Sequence, residues 1–140
     1  MNKIISILLV EDDPSDAIDF KRSLNKIGII YRMIIARNGE EAIDVLNGVH
    51  TENFDGLPNI VLIDTNMPGM NGLELLSRIR NTEEWKHLKC FMLTTSNEKL
   101  DKAIVKSLRA SGCIIKPFRI NNPANMDSFN LMIDLINMKV

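Results

Sequence analysis

The sequence predicts an α/β domain, a doubly wound five-stranded parallel sheet with five helices. Short apolar runs without alternation, typical of strands covered on both faces, recur along the chain. Segments with apolar residues at helical spacing lie between them, and such alternation favours a parallel sheet with helices on both faces. The 140 residues suffice for one domain with a proper core but not for two ordinary domains. We therefore expect a single domain over residues 1–140.

The predicted strands follow the apolar runs. Ser6 is the only polar residue within the first run, and β-branched residues around Tyr31 and Met33 mark the second. The third run, residues 59–64, is apolar between Asn59 and Asp64. We predict strands over residues 4–10, 29–36, 59–64, 89–93 and 113–115.

The predicted helices follow from apolar residues at helical spacing and from start and stop signals. Pro14 opens the first helix and Gly28 ends it. On the third helix we expect Arg78 and Arg80 to face solvent, and we expect Gly112 to stop the fourth. The helices are predicted over residues 14–27, 40–46, the segment after the turn at 67–72, 97–111 and 123–138.

The composition excludes several classes of protein. Lys and Arg number 17 and Asp and Glu 18, so no overall basicity favours nucleic acid or anionic membranes. The longest apolar run, residues 4–10, is far shorter than the roughly 20 residues of a membrane span, and acids follow it where a signal peptide has a cleavage site. Cys90 and Cys113 are too few for a disulfide framework and are typical of a reducing compartment. We expect a cytoplasmic protein without nucleic-acid or membrane partners.

Reactive side chains follow four of the five predicted strands at their carboxyl ends. They are Glu11, Asp12 and Asp13 after the first strand, Asp64 at the end of the third, Thr94, Thr95 and Ser96 after the fourth, and Lys116 after the fifth. Ligands of such sheets bind beyond the carboxyl ends of the strands, where the strand order reverses. The sequence therefore predicts one functional site at this rim.

The residue types at the rim suit phosphoryl transfer. Carboxylates close together repel one another unless a cation compensates their charge, and oxygen ligands suit Mg²⁺, which also recruits phosphate oxygens. Asp64 is then a candidate nucleophile that forms an aspartyl phosphate. Lys116 would pair with one phosphate oxygen, and Thr94 would donate a hydrogen bond to another.

Each part of the cluster also has an ordinary structural explanation. Acids favour helix N-termini, Asp64 can cap a strand end, and hydroxyl residues after a strand often serve in turns or as N-caps. If these explanations were correct, all of these residues would lie at one rim of the sheet by accident. We therefore favour the functional interpretation.

Four motifs, in this order, resemble the receiver domain of two-component response regulators. They are VEDDP at residues 10–14, VLIDTNMPGMNGLEL at 61–75, LTTS at 93–96 and IIKPF at 114–118. Each motif alone is only suggestive, whereas the four together are highly specific, and the resemblance spans residues 4–138. It implies a flavodoxin-like sheet with strand order 2-1-3-4-5.

The resemblance also implies a role for each rim residue. Asp64 would be the phosphoryl acceptor. The acidic pair of the family falls on Glu11 and Asp12, and Asp13 is a second candidate if the register shifts by one. With Asp64, and with the backbone carbonyl of Asn66, this pair would bind Mg²⁺ or, in its place, Mn²⁺.

The remaining implied roles concern the switch. Thr94 would be the switch hydroxyl with Thr95 as its neighbour, Lys116 would contact the phosphoryl group, and Pro117 would be structural. Cys113 stands where the family usually has an aromatic residue, so we expect the loop after the fourth strand to carry the switch instead. The loop over residues 48–58 is longer than in the shortest receivers. In this respect the chain resembles receivers that are paired with bacterial phytochromes.

The resemblance implies a signalling protein, not an enzyme. It would accept a phosphoryl group from a histidine kinase or a phosphotransfer protein and would switch the binding of a partner. Without an output domain it would be a diffusible signal, a relay intermediate or a phosphate sink. One alternative is an aspartate-nucleophile phosphohydrolase, which typically has a second aspartate where this chain has Asn66. Another is an inert receiver-like binding module, which would lack the acid, hydroxyl and lysine set.

The predicted last helix has two apolar stripes. One packs on the sheet and comprises Met126, Phe129, Met132, Ile133, Ile136 and Val140. Leu131, Leu135 and Met138 lie nearly opposite, where a lone domain should be polar, so they predict a homodimer or partner contact. The alternative is that residues 119–125 or a long loop cover them.

Overall fold

The structure is a computed structural model that describes residues 4–67, 69–95, 102–116, 130–131 and 134. Strands and helices alternate along these residues. In chain order they are β1 (Ile5–Val10), α1 (Pro14–Ile27), β2 (Tyr31–Ala36), α2 (Gly39–Asn47), β3 (Ile60–Asp64), α3 (Gly72–Arg80), β4 (Lys89–Thr95), α4 (Lys102–Ser107) and β5 (Gly112–Lys116). Asn130, Leu131 and Asp134 are also helical, whereas the rest of the predicted last helix lies outside the described residues.

The five strands form one parallel sheet in the order β2-β1-β3-β4-β5. This order and the parallel pairing confirm the predicted fold class. The register places Val10 beside Ile63 and Asp64 beside Leu93. The carboxyl ends of β1, β3 and β4 are therefore level, and they meet at one rim.

Apolar side chains cover both faces of the sheet. Leu8 and Val10 on β1 belong to the core that includes α2 and α3, whereas Ile7 and Leu9 belong to the core that includes α1. The alternating side chains of a strand point to opposite faces, so an unbroken apolar run fills both cores. Among the described helices, none has the length and apolar character needed to cross a membrane.

The ends of the first and third helices are fixed by local capping. Asp13 is the N-cap of α1, Pro14 follows it at the first helical position, and Gly28 ends the helix with a left-handed φ of 84°. Asn71 and Glu74 form a reciprocal capping box at the start of α3. These caps set where each helix leaves the rim.

The prediction that Gly112 stops the fourth helix is wrong. The described part of that helix, α4, ends at Ser107, the chain turns through Arg109 with a left-handed φ of 57°, and Gly112 is the first residue of β5. A Cβ at residue 112 would lie 3.1 Å from the ring of Phe91. The glycine is therefore required for close packing against β4, not for ending a helix.

The prediction that Arg80 faces solvent is also wrong. Its side chain is buried, and the guanidinium donates hydrogen bonds to four backbone carbonyls. These are the carbonyls of Lys86 (3.0 Å), Leu88 (2.8 Å), Leu108 (2.8 Å) and Arg109 (2.9 Å). Arg80 therefore joins the α3–β4 connection to the turn after α4, whereas Arg78 is exposed as predicted.

The predicted loop over residues 48–58 is anchored at several points. Phe54 is buried in the core, and the Arg32 guanidinium lies 5.5 Å from the centroid of its ring. Arg32 also donates to the carbonyl of Asn53 at 2.8 Å. At the end of the loop, Asn59 exchanges two hydrogen bonds with Ser6, each 2.8 Å long. The longer loop is thus tied to β1 and β2.

Candidate functional site

The site lies where the strand order reverses. From β1 the chain leads first to β2 on one side and then to β3 on the other, so the ends of β1 and β3 lie side by side. Glu11 directly follows β1, and Asp64 is the last residue of β3. The topology alone thus places these two carboxylates together.

Glu11, Asp12 and Asp64 form a cluster of carboxylates. One oxygen atom of each lies within 4.8 Å of the others. Glu11 and Asp64 are only 1% and 3% exposed, whereas Asp12 is exposed. Three hard oxygen donors with one side open to solvent fit Mg²⁺ or Mn²⁺, which bind few carboxylates and retain waters.

Asp13 lies outside this cluster. Its side chain accepts a hydrogen bond from the backbone N–H of Ser15 at 2.8 Å, as expected of a helix N-cap. Its own backbone N–H donates to Glu11 Oε2 at 3.2 Å. In this structure the acidic pair facing the site is therefore Glu11 and Asp12.

Lys116 connects the carboxylates. It is the last residue of β5, and its Nζ lies 2.5 Å from Glu11 Oε1, 3.2 Å from Asp64 Oδ1 and 3.1 Å from Asp16 Oδ2. The lysine side chain is only 11% exposed. Its charge therefore acts in a largely desolvated site, where ion pairs are stronger than at the surface.

The packing perturbs both Glu11 and Lys116. Burial, helped by the neighbouring Asp64 and opposed by Lys116, raises the pKa of the Glu11 carboxyl to about 8. Burial alone would lower the pKa of Lys116, but hydrogen bonds and charges from Glu11, Asp16 and Asp64 outweigh it and raise that pKa. The lysine therefore stays cationic, and the site holds a permanent positive charge beside Asp64.

Thr94 and Thr95 end β4 on the other side of Asp64. Thr94 is 8% exposed, pairs with Ile115 of β5, and donates from Oγ1 to the carbonyl of Thr95 at 3.2 Å. Thr95 is exposed and pairs with Lys116. The register therefore brings the predicted switch hydroxyl and the predicted phosphate-binding lysine to neighbouring strand ends.

Gly72 allows α3 to start close to Asp64. A Cβ at residue 72 would clash with the backbone carbonyl of Asp64 and would lie 2.8 Å from the Cα of Thr65. The backbone N–H of Asn66 donates to Asp64 Oδ1 at 3.2 Å. Gly72 thus lets α3 pack against the backbone of Asp64, and the Asn66 N–H orients its carboxylate.

The other predicted site residues differ in where they lie, and only some of them are at the rim. Asn66 is exposed at the rim, two residues after Asp64. Cys113 is half-buried, pairs with Met92 inside the sheet and packs against the core. Ser96 and Pro117 lie outside the described residues, and so do residues 97–101 after β4.

Sequence reasoning missed Asp16. This residue is in the first turn of α1, where an acid has the ordinary explanation of favouring a helix N-terminus. Residue 16 is the third residue of α1 and lies four positions after Asp12, a spacing that does not by itself point to the rim. Its contact with Lys116 joins residues 100 positions apart, so only the tertiary structure shows it.

Comparisons with known proteins agree with this geometry. A family profile described as "Response regulator receiver domain" matches residues 7–126. The chemotaxis protein CheY-3 of Vibrio cholerae serotype O1 is 34% identical over 123 residues, which cover 84% of this chain and 85% of that protein. The residues that the profile matches include the whole of the described rim.

Solved structures give the same result. The bacteriophytochrome response regulator AtBRR superposes with a TM-score of 0.78 at 30% identity, covering 96% of this chain and 94% of that one. The Mn²⁺-bound form of the response regulator Rcp1 gives a TM-score of 0.70 at 26% identity, covering 96% and 91% of the two chains. The first of these agrees with the predicted similarity to phytochrome-associated receivers.

Proposed function

The chain belongs to the response regulator receiver family, and we propose that it receives a phosphoryl group on Asp64 from a histidine kinase or a phosphotransfer protein. The observation that carries this proposal is the pairing of a buried carboxylate with an ammonium whose side chain is largely shielded from solvent. Asp64 Oδ1 lies 3.2 Å from Lys116 Nζ, beside a cluster of carboxylates suited to a divalent ion. Such a site neutralises a phosphoryl group from two sides.

We propose Mg²⁺ as the resident ion, with Mn²⁺ as a substitute. Glu11, Asp12 and Asp64 would hold it, together with the backbone carbonyl of Asn66. When bound, the ion would neutralise charge on the phosphoryl oxygens. The fit of the three carboxylates and the Mn²⁺-bound form of Rcp1 support this choice.

The residues of the site suit an in-line displacement. A carboxylate oxygen of Asp64 would form a bond to phosphorus as the P–N bond of phosphohistidine breaks. The electron pair stays on the imidazole nitrogen, which takes a proton from solvent. Lys116 would pair with an equatorial phosphoryl oxygen, and the Asn66 N–H keeps the Asp64 carboxylate oriented.

Phosphorylation would act on partners by changing the surface of the domain. The Thr94 hydroxyl at the end of β4 would turn toward the phosphoryl group, shifting a two-state equilibrium that alters partner binding. Because Cys113 is a small, half-buried thiol, the switch would run through the segment after β4 and not through an aromatic side chain. We propose that residues 1–140 act as one receiver domain in the cytoplasm.

A partner surface on the last helix is part of the proposal. Leu131 is 40% exposed and lies beside Gly112 of β5. On α4, Ile104 is 44% exposed. Leu135 and Met138, the other predicted contact residues, lie outside the described residues. We propose a homodimer or a protein partner here, centred on Leu131.

The phosphohydrolase alternative is weaker because of Asn66. That reaction needs an acid two residues after the nucleophile to protonate the leaving group, and an amide cannot do so. The inert-module alternative is weaker because the buried Asp64 and Lys116 are costly to keep without a role. We therefore propose that the protein is a phosphoryl acceptor and that it catalyses at most its own phosphorylation and dephosphorylation.

The test is incubation with acetyl phosphate and Mg²⁺, followed by intact mass spectrometry. We expect one added phosphoryl group, stable to separation but released by hydroxylamine as an acyl phosphate is. Asp64→Asn should show none, and chelation of the metal should prevent the modification. A wild-type protein that stays unmodified, or an Asp64→Asn protein modified to the same extent, would overturn the proposal.

A further inference from the structure

Lys116 has more carboxylate partners than the proposed reaction uses. Its Nζ contacts Glu11 and Asp64, which belong to the carboxylate cluster, and also Asp16, which does not. The Asp16 contact is both a hydrogen bond and an ion pair, 3.1 Å long. The Asp16 side chain is one-quarter exposed, so this pair is partly shielded from water.

Lys116 and a divalent ion would share the carboxylates of Glu11 and Asp64. Glu11 and Asp64 both pair with Lys116, and both are candidate metal ligands. A metal bound by Glu11 and Asp64 therefore weakens two of the three ion pairs of Lys116. A buried ammonium that loses its partners is strongly destabilised, so a third partner outside the metal cluster would stabilise Lys116 in its place.

We propose that Asp16 is a positioning residue that retains the Lys116 ammonium beside Asp64 when Glu11 and Asp64 bind the metal. This inference rests on the proposed function. Asp16 contacts neither the metal cluster nor the reacting atoms, and it acts through Lys116. Its place in the first turn of α1, whose start is fixed by the Asp13 cap and by Pro14, puts its carboxylate 3.1 Å from the Lys116 Nζ at the end of β5.

The first test is a calorimetric Mg²⁺ titration. Without Asp16, Lys116 is left to Glu11 and Asp64 and competes more strongly with the metal, so Asp16→Asn should weaken Mg²⁺ binding about fivefold or more. Asp16→Glu should restore most of the affinity. Asp19→Asn is the matched control, because Asp19 is an acid on the same helix that pairs with exposed Arg22. If Asp19→Asn weakens binding as much as Asp16→Asn, the effect is long-range charge and the proposal is overturned.

The second test follows Lys116 itself. In the Mg²⁺-loaded wild type, the side-chain ammonium should give an NMR signal slowed in exchange with water, and that signal should be lost in Asp16→Asn. At saturating Mg²⁺, the rate of phosphorylation by acetyl phosphate should fall about fivefold in Asp16→Asn and recover in Asp16→Glu. A loss of thermal stability without these changes would show a merely structural role and would overturn the inference.

The two proposals fail separately. A wild type that takes up no phosphoryl group overturns the proposed function, whatever Asp16 does to the metal titration. A wild type that is phosphorylated normally, with Asp16→Asn unchanged in metal affinity, ammonium signal and rate, overturns only the role of Asp16.

Discussion

The side chain of Asp13 accepts a hydrogen bond from the backbone N–H of Ser15 at 2.8 Å and thereby caps α1. The preceding residue, Asp12, faces the cluster with Glu11 and Asp64 instead. Two adjacent aspartates thus have separate roles, one at the end of a helix and the other at the end of a strand. Because the two roles are separate, substitutions at Asp12 and Asp13 can test which of them binds the metal.

Asp12→Ala is expected to abolish Mg²⁺ binding, because it removes a direct ligand. Asp13→Asn should bind Mg²⁺ normally, since asparagine is an equally good N-cap, whereas Asp13→Ala should lower the free energy of unfolding by about 1 kcal/mol. Calorimetric titration and urea denaturation measure the two effects. Normal Mg²⁺ affinity in Asp12→Ala, or its loss in Asp13→Asn, would show that the assignment of the pair is wrong.

Thr94→Ala is expected to accept a phosphoryl group but to respond weakly to it. The substitution removes the hydroxyl at the end of β4 and leaves the apolar part of that strand intact. The measurement is the set of backbone amide chemical-shift changes on binding beryllofluoride, read over α4 (Lys102–Ser107). Thr95→Ala, at the exposed neighbouring position, is the control and should respond as wild type does. If Thr94→Ala shows the same chemical-shift changes as the wild type, Thr94 is not the switch residue.

Whereas the strand order was predicted from the resemblance to receiver domains, the strands and their parallel pairing were predictable because unbroken apolar runs and alternation with helices are local properties of the sequence. The rim was predictable for the same reason, since each of its residues directly follows a strand. Asp16 and Arg80 were not, because both are charged residues on helices, for which solvent exposure is the ordinary expectation. Their partners lie on other elements, 100 and 28 positions away, so only tertiary packing distinguishes them from surface charges. Gly112 was misassigned because a glycine after a helix also suits a close strand contact.

Arg80→Met is expected to lower the free energy of unfolding by about 3 kcal/mol or more. The change leaves four carbonyls at the α3–β4 connection and after α4 without their charged donor. Urea denaturation measures the loss, and hydrogen exchange at Leu108 and Ala110 should accelerate. Arg78→Met, at an exposed position of the same helix, should change the stability by less than about 0.5 kcal/mol. Equal effects of the two substitutions would contradict the assigned role of Arg80.

Stability of the metal-free protein is expected to fall as the pH rises from 5 to 9. Burial raises the pKa of the Glu11 carboxyl from 4.5 to about 8, so the folded protein holds that proton more tightly than the unfolded chain. The resulting stabilisation is complete below pH 4.5 and is lost as the pH rises through about 8. Urea denaturation in EDTA at several pH values measures it. Glu11→Gln should reduce the pH dependence of the free energy of unfolding. If this variant loses stability with pH as steeply as the wild type does, the raised pKa of Glu11 is contradicted.

Leu131→Glu is expected to disrupt a dimer or partner contact without unfolding the domain. Leu131 is 40% exposed in the single chain, so a charge there costs little in the monomer, whereas in an apolar interface it would be buried unpaired. Light scattering should show a larger mass for the wild type with beryllofluoride than for Leu131→Glu under the same conditions. Ile18→Glu, at an apolar position of α1 that is 50% exposed, is the control and should leave the mass unchanged. If all three proteins are monomeric and Leu131→Glu is strongly destabilised, Leu131 is covered within its own chain by residues beyond those described.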